Sequence, residues 1–366
     1  MAKGIEAFLG DPEIESQRIY EEERFPNLAV ALDGTVLATW GAKNVVVRRS
    51  EDGGATWGPT IPIGSGIHGA GVTVDEGSGH ILAFTHPEHP PGDGVFALRS
   101  SLRSTDAGQT WQEEEPVFEE DVNGNVPSLH FHEHGITLSR GTHKGRIIRP
   151  ARVYERPKGY NTAIYSDDGG RTWKSSAPFE LEGTGEGAIA ELSDGRIYYS
   201  SRQHWFDSPD LYRSDRLHAF SSDGGQTWGD FGHSNLPDGP RHRSEEKQGA
   251  CYNGHFGMAA GLVRLPVEDR DILIYSNADL EGHDRIRMTV WASFDGGESW
   301  PIKRLVDEGP SAYSSLEAGR PGTPGEGWIF LQYEDRNGGG FFSRLRLSWI
   351  LEGTETGDGT VPSWVG

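Results

Sequence analysis

One eight-residue pattern recurs five times along this chain and limits its fold more than any other feature. The pattern is Ser-x-Asp-x-Gly-x-Thr/Ser-Trp, found at Ser50–Trp57, Ser104–Trp111, Ser166–Trp173, Ser221–Trp228 and Ser293–Trp300. Its aspartates, Asp52, Asp106, Asp168, Asp223 and Asp295, stand 54, 62, 55 and 72 residues apart. Units of this length built from short strands are what a β-propeller blade requires. Within each unit the Asp carboxylate can accept amide hydrogen bonds of its own turn, Gly supplies the positive φ, and Trp packs between sheets. The aspartates are therefore read as folding devices, and not as ligands for metal or sugar.

The apolar runs Val45–Val47 and Ala163–Tyr165 precede such turns and read as strands. Arg196–Tyr199 and Trp328–Gln332 read as inner strands after Asp-Gly-type turns. Five units fill most of the chain and leave material for one more blade. Phe341–Ile350 reads as a final strand that pairs with N-terminal residues and closes the ring, so that no sheet edge stays open. The expectation is an all-β, six-bladed propeller forming a single domain over residues 1–366. The 51 glycines and 10% aromatic residues suit such a fold of tight turns and short strands.

Charge and composition narrow the partners. The formal net charge of −21 repels nucleic acid and anionic lipid, so neither is expected as a partner. It also repels an acidic sugar at long range, although a local arginine cluster overcomes this within a Debye length of about 8 Å. No run of apolar residues reaches the ~18–20 that a membrane span needs. Met1–Glu15 lacks the basic and apolar regions of a signal peptide, which fits a cytoplasmic protein or a secreted one whose leader has been removed. Cys251 is the single cysteine, which excludes an internal disulfide and a cysteine-based zinc site.

A second set of residues lies between the repeats, and through it the chain resembles the exo-α-sialidase family over nearly its whole length. Arg24-Phe25-Pro26-Asn27, followed by Asp33-Gly34-Thr35, resembles that family's opening Arg-Ile-Pro motif. Glu186 precedes Ala188–Arg202, which matches a Glu-Leu-x-Asp-Gly-Arg segment ending in Arg. Arg285 stands before Met288-Thr289-Val290 and the last repeat, and Asn277 resembles a turn asparagine ahead of it. Tyr313-Ser314 and Phe330–Glu334 follow.

The resemblance implies that Arg24, Arg202 and Arg285 hold a sugar carboxylate, a task suited to bidentate, permanently charged guanidiniums. It implies that Tyr313 is the nucleophile and Glu186 its general base. A phenol avoids the repulsion that a carboxylate would meet at an anomeric carbon already bearing a carboxylate. The implied activity is retaining release of a terminal sialic acid or related ulosonic acid, with an acidic sugar or sialoglycoconjugate as substrate and no metal or cofactor. The alternative is a non-catalytic sugar-binding propeller, or a hydrolase of a different acidic sugar.

One part of the family pattern is missing. The family carries an acid/base Asp after its first Asp-Gly strand, but here Thr39–Asn44 leads directly into Val45, and no carboxylate lies between Asp33 and Glu51. His68 is the first candidate for a substitute acid, and Lys43 a weaker one because its amine would need a large downward pKa shift. Segment 130–134, with His130, His132 and His134, replaces a Gly-Pro-Gly stretch and is expected at the pocket rim or against the glycone. His204, Trp205 and Cys251–Phe256 are expected there too. These departures point to a specificity shifted toward a related acidic sugar.

Overall fold

The computed structural model describes residues 4–86, 101–129, 133–153, 159–203, 215–238, 258–279, 285–335 and 337–365. It is a six-bladed β-propeller made of six small sheets. The first blade contains Asn27–Val30, Val36–Trp40, Asn44–Ser50 and Ile61–Ser65. The second runs from Ile67–Val74 to Gln112–Glu114, and the third is built on Ile147–Val153 and Tyr160–Ser166. Thr184–Glu191, Ile197–Gln203, Asp215–Ser221 and Gly229–Pro237 form the fourth. The fifth contains Gly261–Arg264, Leu273–Ala278, Ile286–Ser293 and Ile302–Pro310. The innermost strands of neighbouring blades touch in cyclic order, and that of the first meets those of both the second and the sixth.

The sixth blade closes the ring. Ser314–Ala318, Ile329–Glu334 and Gly340–Leu345 come from the C-terminal part, and the fourth strand, Ile14–Tyr20, comes from the N-terminal part. Ile14 pairs with Leu345 and Arg18 with Phe341. The expected closure is therefore present, with two corrections of detail. The strand stops at Leu345, and Leu347–Leu351 turns into a short helix whose Leu347, Trp349 and Ile350 are buried. Ile197–Gln203 and Ile329–Glu334 are second strands of their blades; the innermost are Thr184–Glu191 and Ser314–Ala318.

Each repeat joins the third and fourth strands of its blade, and its hydrogen bonds have the expected form. In the first, Ser50 Oγ donates to Asp52 Oδ1 at 2.8 Å, and the Thr56 amide and hydroxyl donate to the same carboxylate at 2.9 and 2.5 Å. Burial works to raise the Asp52 carboxyl, but these bonds outweigh it and hold the group below the usual range. Gly54 adopts φ +83°, and a Cβ there would lie 2.5 Å from the Phe342 ring. The sixth blade needs no such turn, because its third and fourth strands come from opposite ends of the chain.

The core follows the same logic. Trp57, Trp111, Trp173, Trp228 and Trp300 each pack in the seam between their own blade and the preceding one. The seam between the fifth and sixth blades has no repeat tryptophan. It is filled instead by Ile5, Phe8, Trp349 and Val365, joining both chain ends to the largest apolar cluster. Among the described residues no helix is long and apolar enough to cross a membrane.

Candidate active site

Strand direction decides where the functional side chains gather. The innermost strand of every blade runs away from one face of the ring, the second runs back, and the third runs away again. Residues just before first or third strands, and at the ends of second strands, therefore share one face. Arg24 and Tyr313 precede innermost strands, Glu186 lies near the start of another, Arg202 nears the end of a second strand, and Arg285 precedes a third. The repeats, at the ends of third strands, lie on the opposite face.

The five residues converge. The Tyr313 hydroxyl donates to Glu186 Oε1 at 3.3 Å, and Arg202 Nη1 donates to Glu186 Oε2 at 2.5 Å. The guanidinium carbons of Arg24 and Arg285 lie 5.3 and 5.4 Å from the centre of the Tyr313 ring. Phe25 stacks on the same ring at 5.9 Å. Arg24 is fixed by Glu334, which accepts from its Nη2 at 2.6 Å and also from the amides of Phe25 and Tyr313. Glu23 and Phe25, flanking Arg24, both adopt positive φ, at +72° and +77°. Such backbone is costly in non-glycine residues and collects at functional sites.

The electrostatics suit a neutral phenol beside an ionised carboxylate. Burial would raise the Glu186 carboxyl, yet Arg202 and Arg152 overcome this and hold it below the usual range. Burial and the Glu186 charge raise the Tyr313 phenol, against the opposing effect of Arg285, Arg202 and Arg24. Glu186 is thus charged and placed to take the phenol proton, and the phenol keeps that proton until a reaction removes it.

Sequence reading missed several supporting groups. Arg152 lies on the strand Ile147–Val153, which is buried throughout, and its charge acts on Glu186 of the fourth blade. A charged residue inside so apolar a strand was the available signal. Arg216 is fully buried and donates to Asp238 at 2.7 Å, to the Met258 carbonyl at 3.1 Å, and to the Glu186 carbonyl at 3.1 Å. Asp238 also accepts from the Gln203 amide, beside Arg202; burial, opposed by Arg216 and Arg202, pushes its carboxyl up to about 7. In sequence Leu236–Gly239 looks like an ordinary turn, and nothing local marks this carboxylate. Glu334 stood within a recognised motif, but its hold on Arg24 was not anticipated.

Other expectations change. Asn277 lies in the strand Leu273–Ala278, not in a turn, and donates to the Pro237 carbonyl and Tyr275 hydroxyl. His134 is not at the rim: it is buried between Glu133 Oε1 and Glu317 Oε1, at 2.9 and 3.1 Å. Burial would lower its pKa, but Glu317 and Glu133 push it up to about 9. The Lys43 side chain is exposed. His68 lies on the strand Ile67–Val74 opposite Thr85, but its side chain is outside the described structure. His130, His132, His204, Trp205 and Cys251–Phe256 also lie outside the described residues. Among the described residues no group of three or more His, Cys, Asp or Glu side chains could hold a metal.

The fold and this converging set define a class: a six-bladed propeller with an arginine-rich, tyrosine-bearing site at one end of its axis. Comparison with known proteins places it further. Residues 34–323 match the family model of the BNR repeat-like domain. The chain is 30% identical to a sialidase of Micromonospora viridifaciens, over 89% of this chain and 52% of that protein. It is 26% identical to a sialidase of Bacteroides fragilis, over 80% of this chain and 57% of that one. The chain belongs to the BNR-repeat sialidase family, and spans about half the length of these curated relatives. Among solved structures it resembles the intramolecular trans-sialidase of Ruminococcus gnavus, with a TM-score of 0.67 at 15% identity, covering 92% of this chain and 98% of that one. A Trypanosoma rangeli sialidase mutant gives a TM-score of 0.64 at 17% identity, covering 92% and 56% respectively. These two likenesses concern the fold.

Proposed function

We propose that the chain is a retaining exo-α-sialidase-like glycoside hydrolase that releases a terminal sialic acid or related ulosonic acid. The observation that carries this reading is the Tyr313–Glu186 hydrogen bond at 3.3 Å, placed among Arg24, Arg202 and Arg285. The three guanidiniums bind the C1 carboxylate of the sugar and offset the long-range repulsion of an acidic protein. That contact seats the anomeric carbon over the Tyr313 hydroxyl. Glu186 takes the phenol proton as the oxygen attacks, and Arg202 and Arg152 stabilise the carboxylate until then. Water then releases the sugar from Tyr313, with net retention at the anomeric carbon.

The test is hydrolysis of an activated aryl sialoside by wild type and by Tyr313→Phe. Turnover by wild type and its loss in the variant support the reading. Wild type that binds free sialic acid without turning over either an aryl sialoside or sialyl-lactose supports the second reading, a sugar-binding propeller. The shortened Thr39–Asn44 connection, which brings no carboxylate to the site, is the observation that favours that alternative.

A further inference from the structure

We propose that Glu23 is the general acid and base of this reaction, an inference that rests on the glycosidase reading above. An exo-glycosidase acting on a natural glycoside must deliver a proton to a leaving oxygen of high basicity. The donor must stand beside the nucleophile and must not be committed to a cation.

The described carboxylates around the site are nearly all committed. Glu186 pairs with Arg202, Glu334 with Arg24, and Asp238 with Arg216. Below them on the axis, Glu133 and Glu317 pair with His134. Glu23 differs. Its Oε2 accepts the Ala42 amide at 3.1 Å, and among the described residues its Oε1 has no hydrogen-bond partner. Ala42 in turn packs in one small apolar cluster with Phe25, Ile67 and Tyr313. The Glu23 carboxylate is therefore anchored to a residue that touches the nucleophile's own cluster. Its anchor lies in the shortened connection between the second and third strands of the first blade, where no residue contributes a carboxylate.

The local backbone supports this placement. Glu23 sits at φ +72° and its carbonyl accepts from Gly339, while the Gly41 amide donates to the Arg24 carbonyl. The two segments thus run side by side, and Glu23 directly precedes the site residue Arg24. A left-handed non-glycine residue is unfavourable unless its surroundings over-determine it. Here the hydrogen bond that the Ala42 amide donates to the Glu23 carboxylate helps fix it.

The step balances. The Tyr313 oxygen bonds to the anomeric carbon while the bond from that carbon to the leaving oxygen breaks, and its electron pair goes to that oxygen. Glu23 gives the leaving oxygen a proton, and Glu186 receives the phenol proton. Water then attacks the anomeric carbon and gives its proton to the Glu23 carboxylate. The tyrosyl bond breaks and Glu186 returns its proton to Tyr313, so both carboxyl groups regain their starting states.

The experiment compares wild type with Glu23→Gln on two substrates, an aryl sialoside with a good leaving group and sialyl-lactose. Loss of the acid is expected to lower kcat/KM on sialyl-lactose by about 10²–10⁴-fold and to leave kcat/KM for the aryl sialoside within roughly tenfold of wild type. Loss of the base slows release from Tyr313 on both substrates and shows as a burst of aryl product. The alkaline limb of the wild-type kcat/KM profile on sialyl-lactose should vanish in the variant, and Glu23→Asp should restore part of the rate. A retained aryl kcat/KM also shows that the variant is folded. Equal losses of kcat/KM on both substrates would make Glu23 a positioning residue and overturn the proposal. An unchanged variant would overturn it too, as would a leaving-group-dependent loss in His68→Ala instead. Wild type inactive on both substrates would sink the glycosidase reading itself, a result distinct from these.

Discussion

Replacing Glu186 by Gln keeps the side chain's shape and removes one charge. The carboxylate is only 1% exposed and its Arg202 partner 2%, so their 2.5 Å contact is shielded from water. Removing one member of a buried pair leaves the other charge uncompensated, at about 3–5 kcal/mol. Arg152 and Arg285 also rely on this carboxylate, which places the cost toward the upper end. The midpoint of thermal unfolding should fall by roughly 4–7 °C for a chain of this size. Turnover of an aryl sialoside should fall about 10²–10⁴-fold through loss of the base. The pH dependence carries a sign. Because the folded-state carboxyl is held below its ordinary value, its stabilising effect is complete above the unfolded value of about 4.3 and is lost as pH falls through the folded one. Wild type should therefore lose its stability advantage over the variant below about pH 4. Unfolding midpoints that coincide near neutral pH would refute the claim that this carboxylate compensates buried guanidiniums.

Further expectations concern the scaffold. His134 is raised to about 9, so its contribution is full below the unfolded value of about 6.5 and disappears as pH rises through about 9. Thermal scans between neutral and alkaline pH should show a decline that His134→Gln flattens. Asp168→Ala removes bonds from Ser166 and the Thr172 amide on the face away from the site. It should lower stability by about 1–3 kcal/mol in denaturant titration, with KM unchanged. Gly225→Ala places a Cβ 2.0 Å from Ile148 Cδ1 at φ +82°, and overpacking of about 1–3 kcal/mol or more should appear as a lower unfolding midpoint.

How much of this was legible in the sequence follows from how locally each feature is determined. The repeats are local: Asp, Gly and Trp within eight residues fix a turn and one seam packing, so the blade count was readable. The pairing of Ile14–Tyr20 with Gly340–Leu345 followed because an open ring leaves edges unpaired. The helix at Leu347–Leu351 was missed, since FFSRLRLSWI alternates like a strand until Leu345, and only the need to fill the seam between the fifth and sixth blades explains the change. At the site, Arg24, Glu186, Arg202, Arg285 and Tyr313 were visible beside their own motifs. Arg216 and Asp238 were not, because no local motif marks their contacts between neighbouring strands of the fourth blade, and the signal of a charge within an apolar strand at Arg152 was passed over. His134 was misplaced for a related reason: its partner Glu317 comes from another blade, so its burial leaves no trace in segment 130–134.

Covalent capture examines the proposed nucleophile itself. Incubation with a fluorinated sialosyl fluoride, whose fluorine beside the anomeric carbon slows release, should add one glycosyl mass, and peptide mapping should place it on Tyr313. An adduct on Glu186 or any other side chain would contradict the account, as would a chain that cleaves the reagent without ever carrying the sugar.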